Sequence, residues 1–124
     1  MEMLSEDLTE KIIGAAIAVH KAIGPGLKER SYHVAMAMEF VALELQFERE
    51  PVFPVTYRGA VVGEHKPDFI VENTVVVELK AEASIQPVFT TQVLTYLRLS
   101  GLRVGLIINF NVDALRFGIK RIVK

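Results

Sequence analysis

Nine mostly apolar residues separate Asp68 from Glu78-Leu79-Lys80, and they divide into three sets of three: Phe69-Ile70-Val71, Glu72-Asn73-Thr74 and Val75-Val76-Val77. Two β-branched, hydrophobic segments around a polar break read as a hairpin. Side chains alternate across a strand, so the length of the turn decides which groups meet. A three-residue turn at 72–74 pairs Asp68 with Glu78 and gives them one face, with Lys80 on that face two residues on. A two-residue turn at Asn73-Thr74 pairs Asp68 with Leu79 instead and sends the carboxylates to opposite faces. Asn73 tolerates the left-handed backbone that odd-length hairpin loops use, so the three-residue turn is expected.

Two carboxylates and an ammonium on an otherwise hydrophobic strand pair are costly to bury unless something binds them. A divalent metal and a phosphodiester are the natural candidates. Mg²⁺ takes oxygen ligands, commonly one or two protein carboxylates with several waters retained. Asp68 and Glu78 are the obvious ligand pair, and the carbonyl of Leu79 lies between Glu78 and Lys80 as a further oxygen. Lys80 would orient or deprotonate the attacking water, or stabilise charge in the transition state.

The rest of the chain narrows the field. With 124 residues the expectation is one domain spanning 1–124, and 51% apolar with 23% charged residues suits a compact chain rather than a disordered one. There is no cysteine, which excludes disulfides, thiolate zinc sites and iron–sulfur clusters. No apolar stretch approaches the ~20 residues of a membrane span. The start, Met1-Glu2-Met3-Leu4-Ser5-Glu6-Asp7, is acidic and unlike a signal peptide, so a cytoplasmic protein without membrane partners is expected. Residues 1–79 carry thirteen acids against seven Lys/Arg, a net −6, whereas residues 80–124 carry two against seven, a net +5. A basic half can track a phosphate backbone, or can be no more than an unevenly solvated surface.

Ser5 is positioned to cap a first helix over 6–23, with Glu6 and Asp7 in its opening turn and Leu8, Ile12, Ala15, Val19 and Ile23 at helical spacing. Gly24-Pro25-Gly26 ends it. A second helix is predicted from Lys28 to about Gln46, burying Tyr32, Met36, Phe40 and Leu43 and carrying Glu29 in its first turn. Strands follow over 52–57, 60–71 and 74–80, with a turn at Arg58-Gly59 and an edge, bend or bulge at Pro67. A third helix runs from Pro87 to Gly101. The nearly all-apolar Val104–Phe110 reads as a central strand, a short turn or helix occupies 112–117, and residues 119–123 can add a last strand. The predicted architecture is α/β: a mixed central sheet flanked by helices, with an α-α-β-β-β-α-β core and a parallel crossover through the third helix.

Asp68 and Glu78-Leu79-Lys80 in this strand context resemble the PD-(D/E)XK nuclease superfamily. Gly26-Leu27-Lys28-Glu29-Arg30-Ser31-Tyr32 is similar to the signature of its GxxExxY branch, and His20, the Gln92-to-Tyr96 spacing and Gly105–Phe110 fit that branch too. The resemblance covers about residues 8 to 123. It implies a restriction-endonuclease-like sandwich and a Mg²⁺-dependent nuclease, with Mn²⁺ as substitute, that hydrolyses nucleic acid, most naturally DNA. Asp68, Glu78 and Lys80 would be the metal-binding and catalytic triad. Glu29 would reach the metal from the second helix, while Gln92 and Tyr96 would form a RecB-like Q-x-x-x-Y element that positions the strand or the active site. A homodimer is also expected to suit a small one-site nuclease that cuts both strands.

Plainer readings stand beside these. Glu29 can be an ordinary first-turn acid, Gln92 and Tyr96 a surface and a core residue, and Asp68 with Lys80 a buried ion pair that leaves Glu78 without a partner. His20 reads as a helix-terminal residue, and His33 and His65 offer no usable zinc-ligand spacing. The same fold can also serve as a nucleic-acid-binding module that cuts little or nothing.

Overall fold

Helix α1 (Glu6–Ile23) buries Ile12, Ala15, Ala16 and Val19, the stripe that its periodicity requires. The computed structural model describes residues 6–124, so the cap expected at Ser5 lies outside them. Gly24 and Gly26, at φ 71° and 93°, turn the chain into α2 (Glu29–Ala42). Tyr32 fastens this turn: its hydroxyl donates to the Gly24 carbonyl at 2.7 Å and accepts the Leu27 N–H at 3.2 Å. Its ring stacks on Phe110, with centroids 4.3 Å apart. The glycine–acid–tyrosine spacing thus has a mechanical basis. Gly26 makes the bend, Tyr32 anchors it in the core, and Glu29 is left at the exposed start of the helix.

α2 ends four residues earlier than expected. Glu44 takes a left-handed φ of 57° and Leu45 N–H bonds back to the Phe40 carbonyl, which closes the helix without a glycine. Leu43, expected in the core, is therefore 45% exposed, while Tyr32, Met36 and Phe40 are fully buried. Directly after the freed residues comes a strand that the sequence did not announce, β1 (Phe47–Arg49).

The expected strand over 60–71 is also two strands. β2 (Phe53–Tyr57) and β3 (Ala60–His65) form a separate two-stranded sheet, and the chain breaks at Lys66-Pro67-Asp68 before β4 (Phe69–Val71). Of the edge, bend or bulge anticipated at Pro67, the outcome is a change of sheet, because a prolyl nitrogen cannot continue a ladder. β5 (Val75–Lys80), α3 (Pro87–Ser100), β6 (Val104–Asn109), a 3₁₀ turn at Leu115–Gly118 and β7 (Ile119–Val123) follow close to their expected bounds. The main sheet has the order β1-β4-β5-β6-β7, with β5 and β6 parallel and the other pairs antiparallel.

Alternate residues of the central strands feed two cores. Val75, Val77, Leu79, Leu106 and Ile108 pack under α1 and α2, while Val76, Ile107 and Ile122 pack under α3 with Phe89, Val93, Tyr96 and Leu97. α3 lies so close to the sheet that a β-carbon added at Gly105 would collide with Val93 Cγ1. Gly105→Ala is accordingly expected to cost about 1–3 kcal/mol through overpacking against a stiff β-branched neighbour. Urea unfolding of the variant measures it, and an unchanged midpoint would show that α3 can back away.

Candidate active site

The β4–β5 register is the one that the three-residue turn requires. Phe69 pairs with Val77, Ile70 with Val76 and Val71 with Val75, so the next pair outward is Asp68 with Glu78. Asn73 is left-handed as expected (φ 50°), and so is Glu72 (φ 52°), an uncommon conformation for a long side chain. Glu72 is held there by Gln46, the residue that leads into β1: its N–H reaches the Gln46 carbonyl at 2.7 Å and its carboxylate accepts the Gln46 N–H at 2.6 Å. The strand missed in the sequence therefore helps to set the register on which the site depends.

Asp68 sits in the break between the two sheets, beyond the last ladder pair of β4, and is tethered individually. Its N–H donates to Glu78 Oε1 at 2.9 Å, its Oδ2 accepts the Leu79 N–H at 2.8 Å, and its Oδ1 accepts from His33 Nδ1 at 2.9 Å. Lys80 Nζ lies 3.5 Å from Glu78 Oε2, donates to Gln92 Oε1 at 3.1 Å and stands 4.4 Å above the Phe89 ring. The plainer expectation of an Asp68–Lys80 ion pair is thus not what forms. Asp68 pairs with His33, and Lys80 pairs with Glu78.

Burial raises the Glu78 carboxyl, and the nearby Asp68 charge raises it further, to about 8; the Asp68 N–H and the Lys80 ammonium only partly offset this. Glu29, at the rim, is raised by partial burial and then by Asp68, with Lys80 acting in the opposite direction. Tyr96 is 7% exposed, and its phenol is pushed up to about 12 by burial and by the charges of Glu78 and Asp68. Asp68, Glu78, Lys80, Gln92 and Tyr96 therefore form one neighbourhood, and Glu29 joins it electrostatically. Leu79 contributes its N–H to Asp68, while its side chain is fully buried on the opposite face.

Among the described residues no group of three or more His, Asp or Glu is already disposed as metal ligands. The donor set nevertheless suits a hard divalent cation, which needs only one or two protein carboxylates beside water. A buried acid pair in which one member resists ionisation is where such a charge would be most stabilising.

Three contributors escaped sequence reasoning. His33 lacks zinc-ligand spacing, yet it lies one helical turn after Glu29 on the same face of α2. Asn109, 1% exposed, bonds both backbone groups of Glu82: its Oδ1 accepts the N–H at 3.0 Å and its Nδ2 donates to the carbonyl at 2.9 Å. It thereby fixes the segment leaving Lys80. His65, ending β3, sets its ring edge-on to Tyr96, with centroids 6.1 Å apart. His20 does lie in the last turn of α1, but 8% exposed, with Nε2 donating to the Val112 carbonyl at 2.8 Å.

A mixed sheet that carries Asp68 before one strand and Glu78-Leu79-Lys80 at the end of the next, flanked by helices, is consistent with a restriction-endonuclease-like fold. The chain belongs to the PD-(D/E)XK nuclease superfamily, whose family model matches residues 6–122. Comparison with curated proteins and with solved structures gives no match.

Proposed function

We propose that the protein is a Mg²⁺-dependent deoxyribonuclease of the GxxExxY branch, working as a single domain over residues 1–124 in the cytoplasm. The observation that carries this reading is the apposition of Asp68 and Glu78, with the Glu78 carboxyl driven up to about 8 while Lys80 stands 3.5 Å away. In this reading Asp68 and Glu78 hold Mg²⁺ (or Mn²⁺), assisted by Glu29 and the Leu79 carbonyl. The cation supplies Lewis acidity toward the phosphoryl oxygens and a more acidic water. Lys80 would orient the attacking water as an ammonium, or take that water's proton where it acts as a neutral amine. Gln92 fixes the ammonium through the 3.1 Å bond, and Tyr96 supports the substrate side of the same helix. Lys120, whose ammonium donates to Thr90 Oγ1 at 2.9 Å near the start of α3, adds positive charge along the path of a phosphate backbone. A homodimer would let two such sites cut both strands. The Gly26–Glu29–Tyr32 turn and the Gln92–Tyr96 pair support the assignment to the GxxExxY branch. Among the described residues no helix is long and apolar enough to cross a membrane.

The test is incubation of single- and double-stranded DNA with the purified protein and Mg²⁺ or Mn²⁺, beside Asp68→Ala and Lys80→Ala. Metal-dependent cleavage lost in both variants is expected. Cleavage that persists in both would trace the activity to another source. One observation favours the second reading, a binding module that cuts little. Each carboxylate oxygen of Asp68 and Glu78 already has a protein partner, which leaves a cation only their remaining lone pairs. Salt-sensitive DNA binding without turnover, and without Asp68-dependent Mn²⁺ uptake, would establish the module.

A further inference from the structure

We propose that His33 is a positioning residue for Asp68, holding its carboxylate in the orientation that receives the cation. The inference rests on the nuclease reading above. Asp68 lies past Pro67 in the gap between two sheets, so no ladder of its own strand holds the side chain. One oxygen is fixed by the Leu79 N–H, and the other by His33 across 2.9 Å. A carboxylate only accepts, so His33 Nδ1 carries the hydrogen of that bond.

The ring is set by packing rather than by Asp68. It is 3% exposed and stacks on Phe69 at 4.4 Å, and Phe69 is in turn gripped edge-on by Phe40 and Phe47 at 5.1 and 5.8 Å. A donor that is immobile before the cation arrives is what pre-organises a ligand. The opposite nitrogen, Nε2, is buried without a hydrogen-bond partner among the described residues. A buried polar atom left unpaired is a cost to stability, and a phenylalanine would fill the same aromatic slot without it. Packing therefore does not account for a histidine here, whereas the bond from Nδ1 does. Glu29 precedes His33 by one turn, so α2 brings both an acid and this tether to the same place.

Two substitutions separate tether from filler. His33→Phe keeps the stack and deletes the donor; His33→Asn keeps a donor at the equivalent position and deletes the ring. Mn²⁺ affinity is read from the electron paramagnetic resonance of the free ion, alongside thermal unfolding and kcat and KM on DNA. His33→Phe is expected to unfold at or above the wild-type temperature, yet to bind Mn²⁺ about 10- to 100-fold more weakly and to lose kcat with KM unchanged. His33→Asn is expected to unfold earlier but to recover most of the affinity. Wild-type Mn²⁺ affinity in His33→Phe, or affinity that follows stability across both variants, overturns the proposal. Wild-type Mn²⁺ binding without DNA cleavage would sink the nuclease reading, while the two variants still decide the tether. A wild type that binds no Mn²⁺ removes both.

Discussion

Lys80→Met is expected to cut DNA at least about a hundredfold more slowly than wild type while still taking up Mn²⁺. The ammonium is held from three sides, by Glu78, by Gln92 and by the face of Phe89. Methionine keeps most of the apolar stem against Phe89 and removes only the charged end. Loss of a nearby cation also raises the Glu78 carboxyl further, so protons compete harder with metal in the variant. Affinities should therefore be compared well above the wild-type Glu78 transition at about 8, where that competition has faded. Single-turnover rates at saturating Mn²⁺ then isolate the chemical step. Wild-type rates in Lys80→Met would remove Lys80 from the mechanism, whatever the metal does.

The second large effect lies in stability. Glu78 has a folded-state pKa above its ordinary 4.5, so the fold binds this proton more tightly than the unfolded chain does. Its contribution is fully present below about 4.5, declines as pH rises through about 8, and is absent above that. Glu78→Gln keeps an oxygen to accept the Asp68 N–H and cannot ionise. In chelator-treated protein the variant is expected to melt above wild type at alkaline pH, by at least the roughly 4 °C that ~1 kcal/mol produces in a domain near this size. The advantage should shrink toward zero as pH falls to about 4.5. Millimolar Mg²⁺ should then raise the alkaline midpoint of wild type and leave the variant nearly unmoved. Differential scanning fluorimetry across pH, with and without Mg²⁺, reads all three arms. A variant that melts below wild type at alkaline pH would show that Glu78 is already well compensated as an anion.

Elements with local punctuation were legible before the fold was seen. Gly24-Pro25-Gly26, Pro87 and Gly101 bracket helices whose apolar spacing was plain, and the nearly all-apolar run at 104–110 reads as a buried strand. Elements defined by distant partners were not. Phe47-Glu48-Arg49 is a strand only because Phe69–Val71 lies beside it, and α2 stops at a left-handed Glu44 that no glycine signals. Residues 60–71 look continuous because β propensity does not register which sheet a residue joins.

The site follows the same division. Convergence of Asp68, Glu78 and Lys80 depends on strand alternation and turn length, both local, and so could be read from the residues. The partners those groups take depend on how α2 and α3 dock on the sheet. For that reason His33 rather than Lys80 meets Asp68, and Gln92 meets Lys80. His33 was within reach of a helical-wheel argument, since it follows Glu29 by four positions.

The short strands that carry Asp68 to Glu78 impose a rule of parity on descent. Loss or gain of a single codon within Phe69–Val71 or Val75–Val77 would rotate one acid to the other face of the sheet unless a bulge absorbed it. Length variants that keep both acids together should therefore differ in the turn at 72–74, where a change of turn type leaves the pairing intact.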